Sequence, residues 1–166
     1  MLKKLRHMLV VTCLVSGLAH AQAIQKNTSV LFIQNAQSSE LSADTKQVNG
    51  YRLTLHKPQL YVSYFSDRPE RITGILPVQK FLQFWDTKNK AGFRQDPPNV
   101  ALESSQITLI GTLTDPQYLT KSGDISYHFT PLNGAHINLK LSRNLGFTAL
   151  FIDDIGWDPG GFGDGN

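Results

Sequence analysis

The side chains that could do chemistry are concentrated in two stretches. Asp67, Arg68, Glu70 and Arg71 set two acids and two arginines around Pro69, and Asp96-Pro97-Pro98-Asn99 follows further along the chain. A guanidinium presents a rigid fork of donors that grips a carboxylate or phosphate at two points. Asp67, Arg68, Arg71, Asp96 and Asn99 therefore form a candidate patch for a small anionic ligand. The same charges could instead neutralise one another in a stiff clasp, since Pro69 fixes its own φ and drives Arg68 towards extended backbone.

As catalysts, Asp67, Glu70 and Asp96 would be the carboxylates of a hydrolase acting on envelope or extracellular material. Each has a basic neighbour that favours its ionised form, which argues against a proton-donating acid. His56, Ser66 and Asp67 come nearest to a Ser-His-Asp set, but no G-x-S-x-G turn accompanies them. His128 and His136 share the polar face of an expected hairpin, where Ser126, Thr130, Asn138 and Lys140 offer a metal no carboxylate. The aspartates and glycines of residues 153–166 lack EF-hand spacing and its closing glutamate. These residues call for no metal and no cofactor, and they assign no catalytic group. The expected function is a non-enzymatic binding or structural module, with the hydrolase as the alternative.

The location in which such a site works is written at the N-terminus. Lys3, Lys4 and Arg6 precede an apolar run over residues 8–18 and then Ala19-His20-Ala21, the pattern of a cleaved secretory signal peptide over 1–21. That run is too short to span a bilayer, so the mature chain is expected to have no transmembrane segment. Three of the 16 basic residues lie in this leader and all 13 acids lie beyond it, which leaves the mature chain balanced and removes the electrostatic case for nucleic-acid binding. The single cysteine, Cys13, leaves with it, so a periplasmic or extracellular product has no disulfide and depends on its core.

The elements that must position these residues are mostly strands. Residues 28–34 are a continuous apolar run, residues 38–45 are polar and turn-like, and Asn49-Gly50 is a hairpin signal. After it Tyr51, Leu53 and Leu55 alternate with Arg52, Thr54 and His56; Pro58 interrupts, and residues 60–65 resume as a strand. Further strands are expected at 106–114, 125–130, 135–142 and 147–152, with turns at Asp115-Pro116 and Ser122-Gly123-Asp124. A three-residue loop ending in Gly134 would pair 125–130 with 135–142 so that apolar residues face each other. One amphipathic helix is expected over about 77–88, with Val78, Phe81, Leu82 and Trp85 on one side. The fold class that follows is mainly β, an antiparallel sandwich or partly open barrel of residues 22–152 with one helix, followed by a Gly/Asp-rich tail at 153–166.

The stretch Tyr64-Phe65-Ser66-Asp67-Arg68-Pro69-Glu70-Arg71 with Gly74, Phe81, Trp85 and Phe93, together with Asp96-Pro97-Pro98-Asn99, Ala101 and Leu102, resembles a group of small exported bacterial proteins without an assigned activity. The resemblance covers residues 51–102 and brings no ligand or catalytic residue. It implies that the charged knot and the Asp-Pro-Pro-Asn loop lie side by side, flanking the helix.

Overall fold

The computed structural model describes residues 29–44, 50–87, 92–132 and 144–153. The leader, the expected strand at 135–142 and the tail beyond Asp153 lie outside them. Eight strands, β1 (Val30–Ala43), β2 (Tyr51–Pro58), β3 (Tyr61–Ser66), β4 (Thr73–Pro77), β5 (Asn99–Ser104), β6 (Thr108–Leu119), β7 (Asp124–Pro131) and β8 (Gly146–Asp153), form one antiparallel sheet. Its order is β2-β7-β6-β5-β8-β1-β3-β4, and an additional β1–β2 pairing joins six of the strands into a ring. The mainly-β expectation holds, in its barrel form rather than as a sandwich.

The ring is partly open because β1 divides one of its edges between two partners. Leu31 to Ala36 pair with β8 on one side, while Val30 to Ile33 pair with β3 on the other. Beyond Ala36 that second edge passes to β2. Lys57, with φ of 47°, and Pro58 turn the chain out of β2, and the Gln59 N–H still donates to Asn35 O before β3 begins. The β3–β4 hairpin thus splays away from the ring.

A short helix, α1 (Val78–Leu82), continued by a 3-10 turn (Gln83–Trp85), packs into the opening. Phe32 of β1 meets Phe81, Phe84 and Phe93 at centroid distances of 5.2, 5.5 and 6.3 Å. Trp85 reaches Phe93 at 4.7 Å and Tyr127 at 5.8 Å, and its indole N–H donates to Leu113 O across the interior. Tilted and edge-on pairs at these distances add to the burial of large apolar area. Phe84, which lies outside the expected stripe, is buried, while Leu82 is half-buried, because the 3-10 turn winds more tightly than the α-helix on which the stripe was drawn.

Several strands depart from their expected limits. β1 runs straight through the polar segment at 38–43: a bulge between Ala36 and Ser39 shifts the inward set from Phe32, Gln34 and Ala36 to Ser39 and Leu41. β6 passes through Asp115-Pro116 by a second bulge, with Asp115 at φ 49°, instead of turning there. β4 and β5 were not expected as strands. Both edges of β7 are filled, by β2 and β6.

Phe32→Ala should cost about 3–5 kcal/mol, the usual range for emptying a buried aromatic position. Chemical denaturation checks it, and Tyr118→Ala, on the exposed end of β6, is the matched control with a cost below about 0.5 kcal/mol.

Candidate functional site

The structure divides the patch drawn from sequence. Asp67, Arg68, Pro69, Glu70 and Arg71 form the turn between β3 and β4, with Ser66 N–H bonded to Ile72 O and Ile72 N–H to Ser66 Oγ. Asp67 closes the turn locally: Oδ1 accepts the Arg68 N–H at 2.6 Å and its carbonyl accepts the Arg71 N–H at 3.2 Å. The side chains of Arg68 and Arg71 are exposed and make no ion pair among the described residues, so the self-neutralising clasp is not formed.

Asn99 begins β5 and donates from Nδ2 to Asp153 Oδ2 at 2.8 Å. Asp153 pairs with Leu31, which pairs with Phe65, so Asn99 and the hairpin tip occupy the same end of the sheet. Three strand spacings, roughly 14 Å, separate them. Asp96 is exposed in the loop between the helix and β5. The helix starts at Val78, at the opposite end of β4 from the knot, so the knot and helix are separated by a strand of five residues, not wedged together.

That loop does build a concave site, with different residues. Phe93 N–H donates to Phe84 O and Leu113 N–H to Pro98 O, which ties the loop to the helix on one side and to β6 on the other. Between them lies a cleft of about 510 Å³, whose apolar part is made by Leu82, Trp85, Phe93 and Pro116 and whose polar part includes Gln79, Gln83, Asp86, Arg94 and Asp115. The volume and the mixture suit a small molecule. Asp115 is engaged, accepting from Arg52 Nη2 at 3.3 Å and Gln117 Nε2 at 3.3 Å. Arg94 has no ion pair among the described residues, which leaves its guanidinium available to an anionic group. Sequence order gave little access to this site, since the β6 bulge that contributes Asp115 and Pro116 looks like a simple turn.

A second polar system lies on the outer face of β2 and β7. Arg52 and His128 are register partners there, and both reach Asp44 Oδ2 at 2.9 Å. A carboxylate oxygen only accepts, so in this contact His128 Nδ1 is the donor and Asp44 Oδ2 the acceptor. Nε2 is buried with no hydrogen-bond partner among the described residues. A histidine so held by a carboxylate is arranged as a general base or metal ligand. Access forbids either role, since a Cβ on Gly50 would stand 2.4 Å from Nε2 and 2.0 Å from Cε1. Gly50 is required for the close approach of the backbone to this ring, not for a two-residue turn: Ala43 and Tyr51 are the last register pair before seven intervening residues. His128, expected on the polar face of a hairpin, is buried on the outer face of β7, and His136 lies outside the described residues.

Further along the same ladder, His56 Nδ1 bonds Asp124 Oδ2 at 3.1 Å, while Ser66 and Asp67 sit at the end of β3, so the expected Ser-His-Asp set does not assemble. Partial burial pushes the Asp124 carboxyl up, but hydrogen bonds from His56, Ser122 and the Lys57 N–H, with the charge of His56, hold it below the ordinary value. Burial pushes the Tyr127 hydroxyl well above its usual value, partly offset by its bond to Gln34 Oε1 at 2.8 Å. No group of three metal-ligating side chains occurs among the described residues. No helix among them is long and apolar enough to cross a membrane.

Compared with known proteins, the chain matches no family model, no curated protein and no solved structure.

Gly50→Ala should destabilise by on the order of 1–3 kcal/mol through overpacking, and its effect should shrink in a His128→Ala background; a double-mutant cycle by urea denaturation measures both. A carboxyl held below its unfolded value of about 3.9 adds stability present above that pH and lost as pH falls through the native value. Asp124→Asn should therefore cost stability near neutrality and less at about pH 3, which denaturation across pH checks.

Proposed function

We propose that the protein is an exported, non-enzymatic binding module, working in the periplasm or outside the cell, that takes a small amphipathic anion in the cleft between the helix and the β6 bulge. The observation that carries this reading is the pairing of an aromatic wall, Trp85 and Phe93, with a guanidinium, Arg94, free of any ion pair among the described residues. Apolar walls supply most of the affinity of such sites, and a few polar groups fix orientation. Arg94 would grip the carboxylate or phosphate, Gln79 and Gln83 would bond the remaining polar groups, and the rings would take the apolar body. The leader pattern supports export.

The hydrolase through Asp67, Glu70 or Asp96 gathers less support. None of the three lines the cleft, and Asp67 is already bonded to backbone. The inclusion of Arg68, Arg71 and Asn99 in the ligand patch also weakens, because Asn99 is spent on Asp153 and both arginines stand on the splayed hairpin.

A library of small carboxylates and phosphates, screened against labelled protein by amide chemical shifts, tests the proposal. Binders should shift Gln79, Gln83, Arg94 and Asp115, and Arg94→Ala should weaken them about tenfold or more without lowering Tm. Shifts confined to the hairpin tip, or unchanged binding in Arg94→Ala, would refute the cleft as the site.

A further inference from the structure

The β3–β4 hairpin carries a surface that the cleft does not use. Inward residues Val62, Ser66 and Leu76 are buried, and the alternate set faces outward: Tyr61, Phe65 and Ile75 are 49, 41 and 63% exposed, and Leu60, just before the strand, is 68% exposed. Ser63 pairs with Ile75 and Ile33 with Ser63, so this outer row continues onto β1, and Ile33 pairs in turn with Phe151 of β8. β4 is the last strand of the sheet, so its outer edge has no strand partner among the described residues. A contiguous exposed apolar surface of this kind marks a binding face.

Charge decides what it binds. The Leu60 end is flanked by Lys57 and Lys80, the latter brought there because Val78 N–H donates to Leu60 O. The Phe65 end carries Arg68 and Arg71. Against these four exposed cations stand Asp67, whose Oδ1 bonds the Arg68 backbone, and the half-buried Glu70. Residues 57–80 thus carry two more positive than negative charges, in a chain whose charges beyond residue 21 sum to zero, so the rest of it is net acidic. Apolar and aromatic side chains between two cationic rims are the pattern of a peripheral membrane anchor.

We propose that the β3–β4 hairpin docks onto an anionic lipid surface. Phe65, Tyr61 and Ile75 enter the headgroup boundary while Arg68 and Arg71 at one end and Lys57 and Lys80 at the other meet lipid phosphates. The cleft, formed by the helix and β6, is a separate site, so either proposal can fail without the other.

The test is co-sedimentation of the protein, as processed by expressing cells, with vesicles of equal parts phosphatidylcholine and phosphatidylglycerol, against phosphatidylcholine alone. Binding should require the anionic lipid and fall with added salt. Arg68→Gln with Arg71→Gln should weaken it about thirtyfold, the factor for two charges near an anionic surface. Phe65→Ser with Ile75→Ser should weaken it further at unchanged Tm, and both variants share the wild-type N-terminus, so any contribution from residues 1–21 cancels. Equal binding to neutral vesicles, or binding that survives both double substitutions, overturns the proposal. So does a stable dimer by light scattering that Phe65→Ser with Ile75→Ser dissolves, since a second copy would then cover the face.

Discussion

Strand β1 cannot satisfy its second edge with one partner, and the packing of Phe32 against the helix is what makes that division tolerable. Along residues 30–33 the edge belongs to β3 and beyond Ala36 to β2, so the ring of six strands has a gap where the two diverge. An open barrel end exposes apolar interior unless another element covers it. Phe81, Phe84 and Phe93 converge on Phe32 there, and Trp85 carries the contact through to Tyr127 and to the Leu113 carbonyl. The cleft is a consequence of this plug: the chain must leave the helix at Trp85 and return to β5 at Asn99, and the space between that return and the β6 bulge is left open.

The ionisable groups separate into those that hold the fold and those left free. Asp44 is shared by Arg52 and His128, and Arg52 extends the chain of charge to Asp115. The residue types of this cluster match those of a catalytic base, but the Gly50 backbone lies against the only ring nitrogen that could act. Burial costs such groups more than their pairing returns unless the network is complete, so its value is in fixing where the β1–β2 connection meets β7. Among the described residues, the guanidiniums without ion pairs are Arg94 in the cleft and Arg68 and Arg71 on the hairpin, and these have capacity for a ligand.

Where the alternation of side chains was regular, the chain announced its structure. Leu53 and Leu55 against Arg52 and His56, and Ile125 and Tyr127 against Ser126, gave β2 and β7 with their faces correct. Val78, Phe81 and Trp85 gave the helix. Bulges hid the rest. At Ala36–Ser39 the period slips by one residue inside a polar stretch, so β1 looked finished too early, and at Asp115-Pro116 a positive-φ bulge resembled a turn. β4 and β5 are short, and no run of alternating residues marks them. Local spacing favours the nearest downstream apolar segment as the hairpin partner of β7, whereas β2, more than sixty residues upstream, and β6 occupy both its edges. Asp44 and His128 are 84 residues apart, and no local pattern joins them. The cleft draws on the helix, the loop after it and β6, so its lining was legible only after the ring closed.

The fold therefore rests on the plug opening and closing together with the ring. Hydrogen exchange by NMR reads this directly, because the Trp85 indole N–H reports on the plug and the amides of Phe32 to Ala36 report on β1. The account predicts that the indole proton exchanges as slowly as those amides, at the free energy of global unfolding. An indole proton lost much earlier, while the β1 amides stay protected, would show that the helix opens alone and contradict the account.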